Sequence, residues 1–412
     1  MIRILNLSPA PMWDVEDKKG MPSIYLTQKG FVEAGHEVLY AFPGKETRSY
    51  DYEGIHMHEF RLQVPIAPPQ YPWLHRLSMK FFSLSFLVVA TIKGLQLCRV
   101  FQPDVVYGHF YAAPVAWIIG RIQRIPNITR LYGTFLLPWL HSVWGRIRKI
   151  EEVVAFKTPC SYLIMTNDGM KSDECAVALG VPIERMKFWR NGVNKDMFDP
   201  FCDKDKFKES LAIPRHHKVI LAVSRLVNWK RVDRLITALP MVLQQYPHTT
   251  AVVVGDGEER DHLESLCRQL GVTENVRFVG LILHEEVAQF LNAADIFVSL
   301  YEHSNVGNPL LEALCCGKCI VSINNGGTGE INRHGEVVIL LEETGLKVLP
   351  EVLVDLLRND AKRERLGQAA REYALQHLQT WPERIKMEVN LIEELVSGSQ
   401  KYQLTHQPSV TR

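Results

Sequence analysis

Short runs of β-branched and aliphatic residues alternate with longer amphipathic segments along most of the chain, the pattern of parallel strands joined by crossover helices. The alternation comes in two sets. In the first, the pattern predicts strands at residues 2–7, 37–41, 55–60 and 105–107, with later segments at 162–166 and 186–189. A helix over about 23–33 precedes Gly35, a residue suited to a left-handed stop. A charged connector at 200–208 separates this half from a second set that starts at 219–223. After Lys230, the residues Val232, Leu235, Ile236, Leu239, Val242, Leu243 and Tyr246 share one helical stripe, which Pro240 should bend. Strands are expected at 250–254, 276–279, 296–300 and 319–323, with a helix bearing Leu263, Leu266 and Leu270 that ends at Gly271.

The pattern therefore predicts an α/β chain of two Rossmann-like, doubly wound parallel-sheet domains facing a central cleft. Residues 1–200 form the first domain and 201–375 the second. A last helix within 376–397 returns to the first domain, and 398–412 form a flexible tail.

Composition narrows the function. With 46% hydrophobic and 23% charged residues over 412, the chain is neither disordered nor fibrous. Lysine and arginine number 47 against 46 acidic residues, so no overall field draws in nucleic acid, and any anion site is local. The opening MIRILNLSPAP reads as a buried strand rather than a secretory leader, which points to the cytoplasm. The eight cysteines are scattered, and only Cys316 and Cys319 have metal-type spacing, without a second pair, so reduced thiols and no metal are expected. The uncharged run 81–92 is too short to cross a ~30 Å hydrocarbon core. Segments 71–92 and 136–150 mix Trp73, Phe81, Phe82, Trp139 and Trp144 with Arg76, Lys80, Arg146, Arg148 and Lys149. Such faces suit either an anionic lipid surface or domain helices with their apolar sides in the core, and the second is favoured.

Ligands of doubly wound folds lie beyond the carboxyl ends of the strands, and four loops there are unusual in the second half. Ser224 to Lys230 sets Arg225 and Lys230 at one strand end, a planar fork and a point charge suited to a diphosphate, or else a solvated basic turn. Gly255-Asp256-Gly257 permits close backbone approach, but Arg260 leaves the dinucleotide fingerprint incomplete. The stretch Tyr301 to Asn308 leads into Pro309-Leu310-Leu311-Glu312, where a proline at the helix start leaves amides to face an anion. Glu312 can accept two vicinal hydroxyls such as those of a ribose, or merely complement the helix dipole. Asn324 to Glu330 is rich in glycine.

Taken with Arg277-Phe278-Val279-Gly280, Gly307 to Ala313, Gly326-Gly327 before Glu330, Lys19-Gly20, Gly35-His36-Glu37-Val38, His109 and Asn191-Gly192-Val193, these pieces resemble the retaining glycosyltransferases of family 4, with the GT-B architecture. The resemblance implies that Arg225 and Lys230 hold a donor diphosphate and Glu312 the ribose. It also implies that Val279, Gly280 and Leu281 read the base, that Gly20 approaches the diphosphate, and that His109 contacts the transferred sugar. Asn191-Gly192-Val193 falls near the interdomain hinge. Asp256, Ser304, Asn305, Gly307, Asn308, Pro309 and Leu310 complete the expected nucleotide-sugar site. His109 also reads as a buried, hydrogen-bonded histidine. The family's Glu-x7-Glu is broken, because Ser304 stands where its first glutamate does, and Ser304 and Asn305 are left to hydrogen-bond a sugar as neutral groups.

The implied activity is transfer of a sugar from a UDP- or GDP-sugar to a saccharide or lipid-linked acceptor, in polysaccharide or glycoconjugate synthesis. Retention of configuration follows from the resemblance, and the lack of Asp-x-Asp at a strand end of the second half argues against a catalytic metal. No cofactor is expected beyond the donor, no nucleic acid, and any membrane contact is peripheral, at the inner face through the first domain. Two alternatives share the architecture: a nucleotide-sugar epimerase or hydrolase, and a nucleotide-sugar-binding protein without turnover.

Overall fold

The computed structural model describes residues 1–14, 19–20, 22–68, 70–199, 201–333 and 335–405. Two compact units emerge. Met1–Asn167 and Lys171–Asn191 form the first with the segment from Trp381 onward, and Asp168–Met170 with Gly192–Thr380 form the second.

Strands β1 (Arg3–Leu7), β4 (Glu37–Gly44), β5 (Arg48–Tyr52), β6 (Ile55–Arg61), β7 (Val105–His109), β8 (Asn127–Leu131), β9 (Tyr162–Thr166) and β10 (Met186–Trp189) make an eight-stranded sheet in the first unit. Its order is β10-β9-β8-β7-β1-β4-β6-β5, parallel except where β5 runs against β6. The short β2 (Trp13–Asp14) and β3 (Lys19–Gly20) pair separately. Helices α1 (Pro22–Glu33), α2 (Pro72–Phe101), α3 (Ala113–Gln123), α4 (Val143–Arg148), α5 (Ile150–Lys157) and α6 (Ser172–Ala178) belong to this unit. Apolar side chains leave both sheet faces, Ile4, Tyr40 and Tyr107 toward one cluster and Leu5, Leu39 and Val106 toward another. That is the two-sided burial a parallel sheet requires.

The second unit holds β11 (Lys218–Val223), β12 (Thr249–Val254), β13 (Val276–Gly280), β14 (Ile296–Ser299), β15 (Cys319–Ile323) and β16 (Ile339–Leu341). All pair in parallel, in the order β13-β12-β11-β14-β15-β16. Its helices are α7 (Lys204–Ser210), α8 (Asp233–Gln245), α9 (Arg260–Gln269), α10 (Val287–Ala293), α11 (Asn308–Cys315), α12 (Leu349–Arg358) and α13 (Asp360–His377). Helix α8 accommodates Pro240 and buries Leu235, Ile236, Leu239 and Val242 of the expected stripe. A final helix, α14 (Trp381–Thr405), groups with the first unit and extends well into the stretch expected to be a tail, while 406–412 lie outside the described residues.

The chain passes to the second unit between Asn191 and Gly192, ahead of the charged connector expected to divide the domains. The cause is apolar. Val193 and Met197 are buried in the core of the second unit, and Val193 N donates to Gln379 O at 2.9 Å, beside the return passage at Thr380. Pro200, the expected last residue of the first domain, lies outside the described residues.

Two further expectations need correction. Helix α2 is far longer than the uncharged run inside it, and in length and composition it could cross a bilayer. Its Phe86, Ala90, Gly94 and Cys98 are buried, and the helix packs on α3 and β4. At Gly94 even a methyl group would strike the Ile119 side chain, 2.4 Å away. A helix clamped to a sheet along one stripe is not surrounded by lipid, yet its apolar side is not all in the core either: Trp73, Leu77, Phe81, Leu84, Val88 and Ile92 are exposed. Lys318, which its place in the turn between Cys316 and Cys319 would set in water, instead donates to the carbonyls of Asn292 and Ala294, and burial lowers its pKa to about 8.

Candidate active site

The strand order of the second sheet reverses between β11 and β14, so the loops leaving these two strands diverge at their carboxyl ends. The loop after β11 is held by its backbone. Leu226 N donates to Asp256 O at 2.9 Å, Glu259 N to Leu226 O at 3.0 Å, and the Leu226 side chain is buried. Gly255, at φ +123°, lies so near that a Cβ there would stand 1.9 Å from Ser224 O, and its own N–H donates to Gly280 O. The glycines expected to make room for a ligand thus also make room for a neighbouring loop. With Leu226 inward, Arg225 is exposed and, among the described residues, its guanidinium has no hydrogen bond or ion pair.

Lys230 ends a single tight turn, Asn228–Lys230. Its ammonium lies 4.1 Å from the Trp229 ring centroid and 3.6 Å from that of Tyr301, whose hydroxyl donates to Val223 O at 2.9 Å. Burial, then the Arg225 charge, lowers the Lys230 pKa to about 7 against the opposing pull of Asp168. Rings satisfy an ammonium's electrostatics only in part. Two cations that push on one another, one of them partly dehydrated, make a local site of positive charge suited to an anion.

The loop after β14 is built on Asn305. Its amide accepts from Tyr301 N and Ser299 Oγ and donates to Tyr301 O and Asn325 Oδ1, so this buried residue is spent inside the loop rather than turned to a sugar. Ser304 Oγ donates to Asp168 O. Gly326 and Gly169 crowd it: a Cβ on Gly169 would stand 2.2 Å from Ser304 Oγ. A glutamate at 304 has no room in this packing. Helix α11 follows, with Gly307 before it and Pro309 in its first turn, and its N-terminus carries no side-chain cap. Glu312, one turn in, is buried and meets His284 Nε2 at 2.8 Å; that bond raises the His284 pKa.

The second unit therefore contains Arg225, Lys230, Asp256, Val279, Gly280, Leu281, Ser304, Asn305, Gly307, Asn308, Pro309, Leu310 and Glu312, all at the ends of β11 to β14 or on α11. Val279 and Gly280 close β13, and Leu281 is exposed beyond it. Gly20 and His109 belong to the first unit. Gly20 pairs with Trp13 beside residues 15–18, which lie outside the described set. His109, at the end of β7, is wholly buried, its Nδ1 3.0 Å from Tyr132 Oη and its Nε2 2.9 Å from Asn6 Oδ1. Burial, then the nearby Arg130 charge, lowers its pKa to about 3, so the ring is neutral.

Two polar groups escaped the sequence reading. Asp168 follows β9 yet groups with the second unit; burial raises its pKa to about 6, against the pull of Lys230. His284 pairs with Glu312. Neither carries a local signal, since one stands in Asn-Asp-Gly and the other in His-Glu-Glu, both ordinary turn compositions.

Residues 203–373 match the family described as glycosyl transferases group 1. The chain is 27% identical over 331 residues to an uncharacterized glycosyltransferase of Methanocaldococcus jannaschii, covering 78% of this chain and 79% of that protein. It is 27% identical over 303 residues to the GDP-mannose-dependent alpha-(1-6)-phosphatidylinositol monomannoside mannosyltransferase of Mycolicibacterium smegmatis, covering 70% and 75% respectively. Among solved structures, Anabaena HepE in complex with UDP is similar at a TM-score of 0.72 and 21% identity, covering 96% of this chain and all of that one. The shared fold is the two-domain GT-B arrangement of parallel sheets.

Proposed function

We propose that this chain, whose residues 203–373 match the glycosyl transferases group 1 family, moves a hexosyl group from a UDP- or GDP-sugar to a saccharide or lipid-linked acceptor. The observation that carries this reading is the pair of cations at the switch point, Arg225 without a counter-ion among the described residues and Lys230 held at a pKa of about 7. When the bond between sugar and diphosphate breaks, charge grows on the departing oxygens, and preorganised cations act most strongly there. The N-terminus of α11 adds the positive end of its dipole. Glu312, oriented by His284, is the acceptor for ribose hydroxyls, and the end of β13 meets the base. With charge supplied by side chains, the reading needs no catalytic metal. The leaving phosphate takes the acceptor's proton in a front-face displacement that retains configuration, as in family 4, and the product belongs to polysaccharide or glycoconjugate synthesis. Similar structures solved with UDP and with UDP-glucose, and a relative named for GDP-mannose, support the donor class.

Thermal-shift measurements against UDP, GDP and ADP, alone and as sugar conjugates, test the reading. One nucleotide series should raise the apparent Tm by mass action. Donor consumption dependent on an acceptor should persist in excess EDTA. Absence of any shift at millimolar concentrations overturns the assignment.

We further read the outer face of α2 as the contact with an acceptor-bearing membrane, with the enzyme on its cytoplasmic side. Leu77, Phe81, Leu84, Val88 and Ile92 recur every three or four residues and are at least half exposed, and α2 contains Arg76, Lys80, Lys93 and Arg99 but no acidic residue. An apolar stripe with basic flanks binds anionic interfaces through both terms. Replacing Leu77, Phe81 and Leu84 together by glutamate should weaken co-sedimentation with phosphatidylglycerol vesicles at least tenfold without altering donor affinity. Equal sedimentation of parent and variant removes this face from the reading.

A further inference from the structure

We propose that His216, His217 and His248 form a binding site for a borderline transition-metal dication of the Zn2+ class, on the side of the second sheet away from the donor loops. Each imidazole offers one ligand nitrogen, and these lie within 4.8 Å of one another. The arrangement follows from strand pairing. In the register of β11 with β12, Lys218 faces Thr249, so His217 and His248, each just before its strand, enter side by side, and Lys218 N donates to His248 O at 2.9 Å. A turn closed by His217 N to Pro214 O then sets His216 against both, its ring centroid 4.8 Å from that of His217 and 4.5 Å from that of His248.

Three features make this a ligand set rather than a chance cluster. Two of the three rings are anchored at the entrances of neighbouring core strands, so only the rings need to move. His217 Nδ1 lies 2.9 Å from the Thr250 hydroxyl, and donation to that buried oxygen leaves Nε2 as the metal-facing lone pair, the usual outer support of a ligating histidine. Lys208 and Arg277, the nearby cations, are occupied elsewhere: Lys208 donates to Arg215 O, and Arg277 to the carbonyls of Leu211 and Glu274. Metal–nitrogen bonds of about 2.0–2.1 Å in a tetrahedron bring the nitrogens to about 3.3 Å, which exposed His216 and His248 reach by ring rotation. Three neutral nitrogens and no carboxylate select Zn2+, Co2+, Ni2+ or Cu2+ over Mg2+ or Ca2+. The six residues of β11, at ~3.3 Å each, put the site about 20 Å from Ser224, so the ion clips chain segments together and takes no part in transfer.

The test uses tag-free, metal-stripped full-length protein titrated with Co2+, followed by competition with Zn2+. The parent should show one saturable tetrahedral Co2+ spectrum, displaced by Zn2+, and a Zn2+-dependent rise in Tm. The double variant His216→Ala/His248→Ala, at two exposed side chains, should lose at least 100-fold in affinity and the Tm response. Its circular dichroism and its Tm response to nucleotide should match the parent. A parent without saturable binding at micromolar metal, or a double variant that binds equally well, overturns the proposal.

Discussion

Arg225→Ala is expected to lower kcat/KM for the nucleotide sugar by about 10²-fold, with most of the loss in kcat and little change in Tm. Removing a single preorganised donor aimed at developing charge costs on the order of 10²–10³ in rate. Arg225 is exposed and has no partner to abandon among the described residues, so its loss leaves no buried orphan and costs little in folding. Lys230→Ala should be comparably slow but less stable, because the ammonium also fills the space between Trp229 and Tyr301. Steady-state kinetics with calorimetric Tm separates the two. Near-parent turnover in both variants would falsify the phosphate clamp.

Donor binding is also expected to weaken as pH rises above neutrality, by up to tenfold per unit. Free Lys230 titrates near 7, and a bound diphosphate stabilises its charged form, raising the pKa in the complex. Below 7 the lysine is already protonated and affinity is flat. Above 7 binding must take up a proton, and affinity falls until pH reaches the pKa of the complex. Calorimetry in buffers of different ionisation enthalpy should show uptake approaching one proton near pH 8. Asp168 holds the Lys230 pKa up, so Asp168→Asn should move the break to lower pH; Lys230→Arg should abolish it. A flat profile from pH 6 to 9 with no proton uptake contradicts the placement of Lys230 at the diphosphate.

Strands buried on both faces, such as β9, β11 and β15, were legible as near-continuous apolar runs. β8 was not, because Asn-Ile-Thr-Arg-Leu carries Arg130 where an interior strand should be apolar. The reason lies partly on another strand. Arg130 is buried over the Tyr132 ring and donates to the carbonyls of Leu131 and, on neighbouring β9, Ile164. No local window contains that last partner. The site was legible as far as its residue types were specialised: Arg225, Lys230 and Pro309-Leu310-Leu311-Glu312 advertise themselves by charge at a strand end and proline at a helix start. Asn305 advertised a ligand contact and proved to be a loop brace. Ser304 stood as a missing carboxylate, and its packing against Gly169 and Gly326 leaves space there for a small side chain.

Because α14 completes the first unit while the whole of 192–380 precedes it, synthesis from the N-terminus makes the second unit before the first can close. Until α14 emerges, the face of the first sheet around Tyr107 lacks Val389, Ile392 and Val396, and Tyr107 lacks its carboxylate partner, Glu388. The nascent protein thus carries an unfinished half through most of translation, and a message cut short before codon 381 yields a second unit intact in sequence beside a first that can never be sealed.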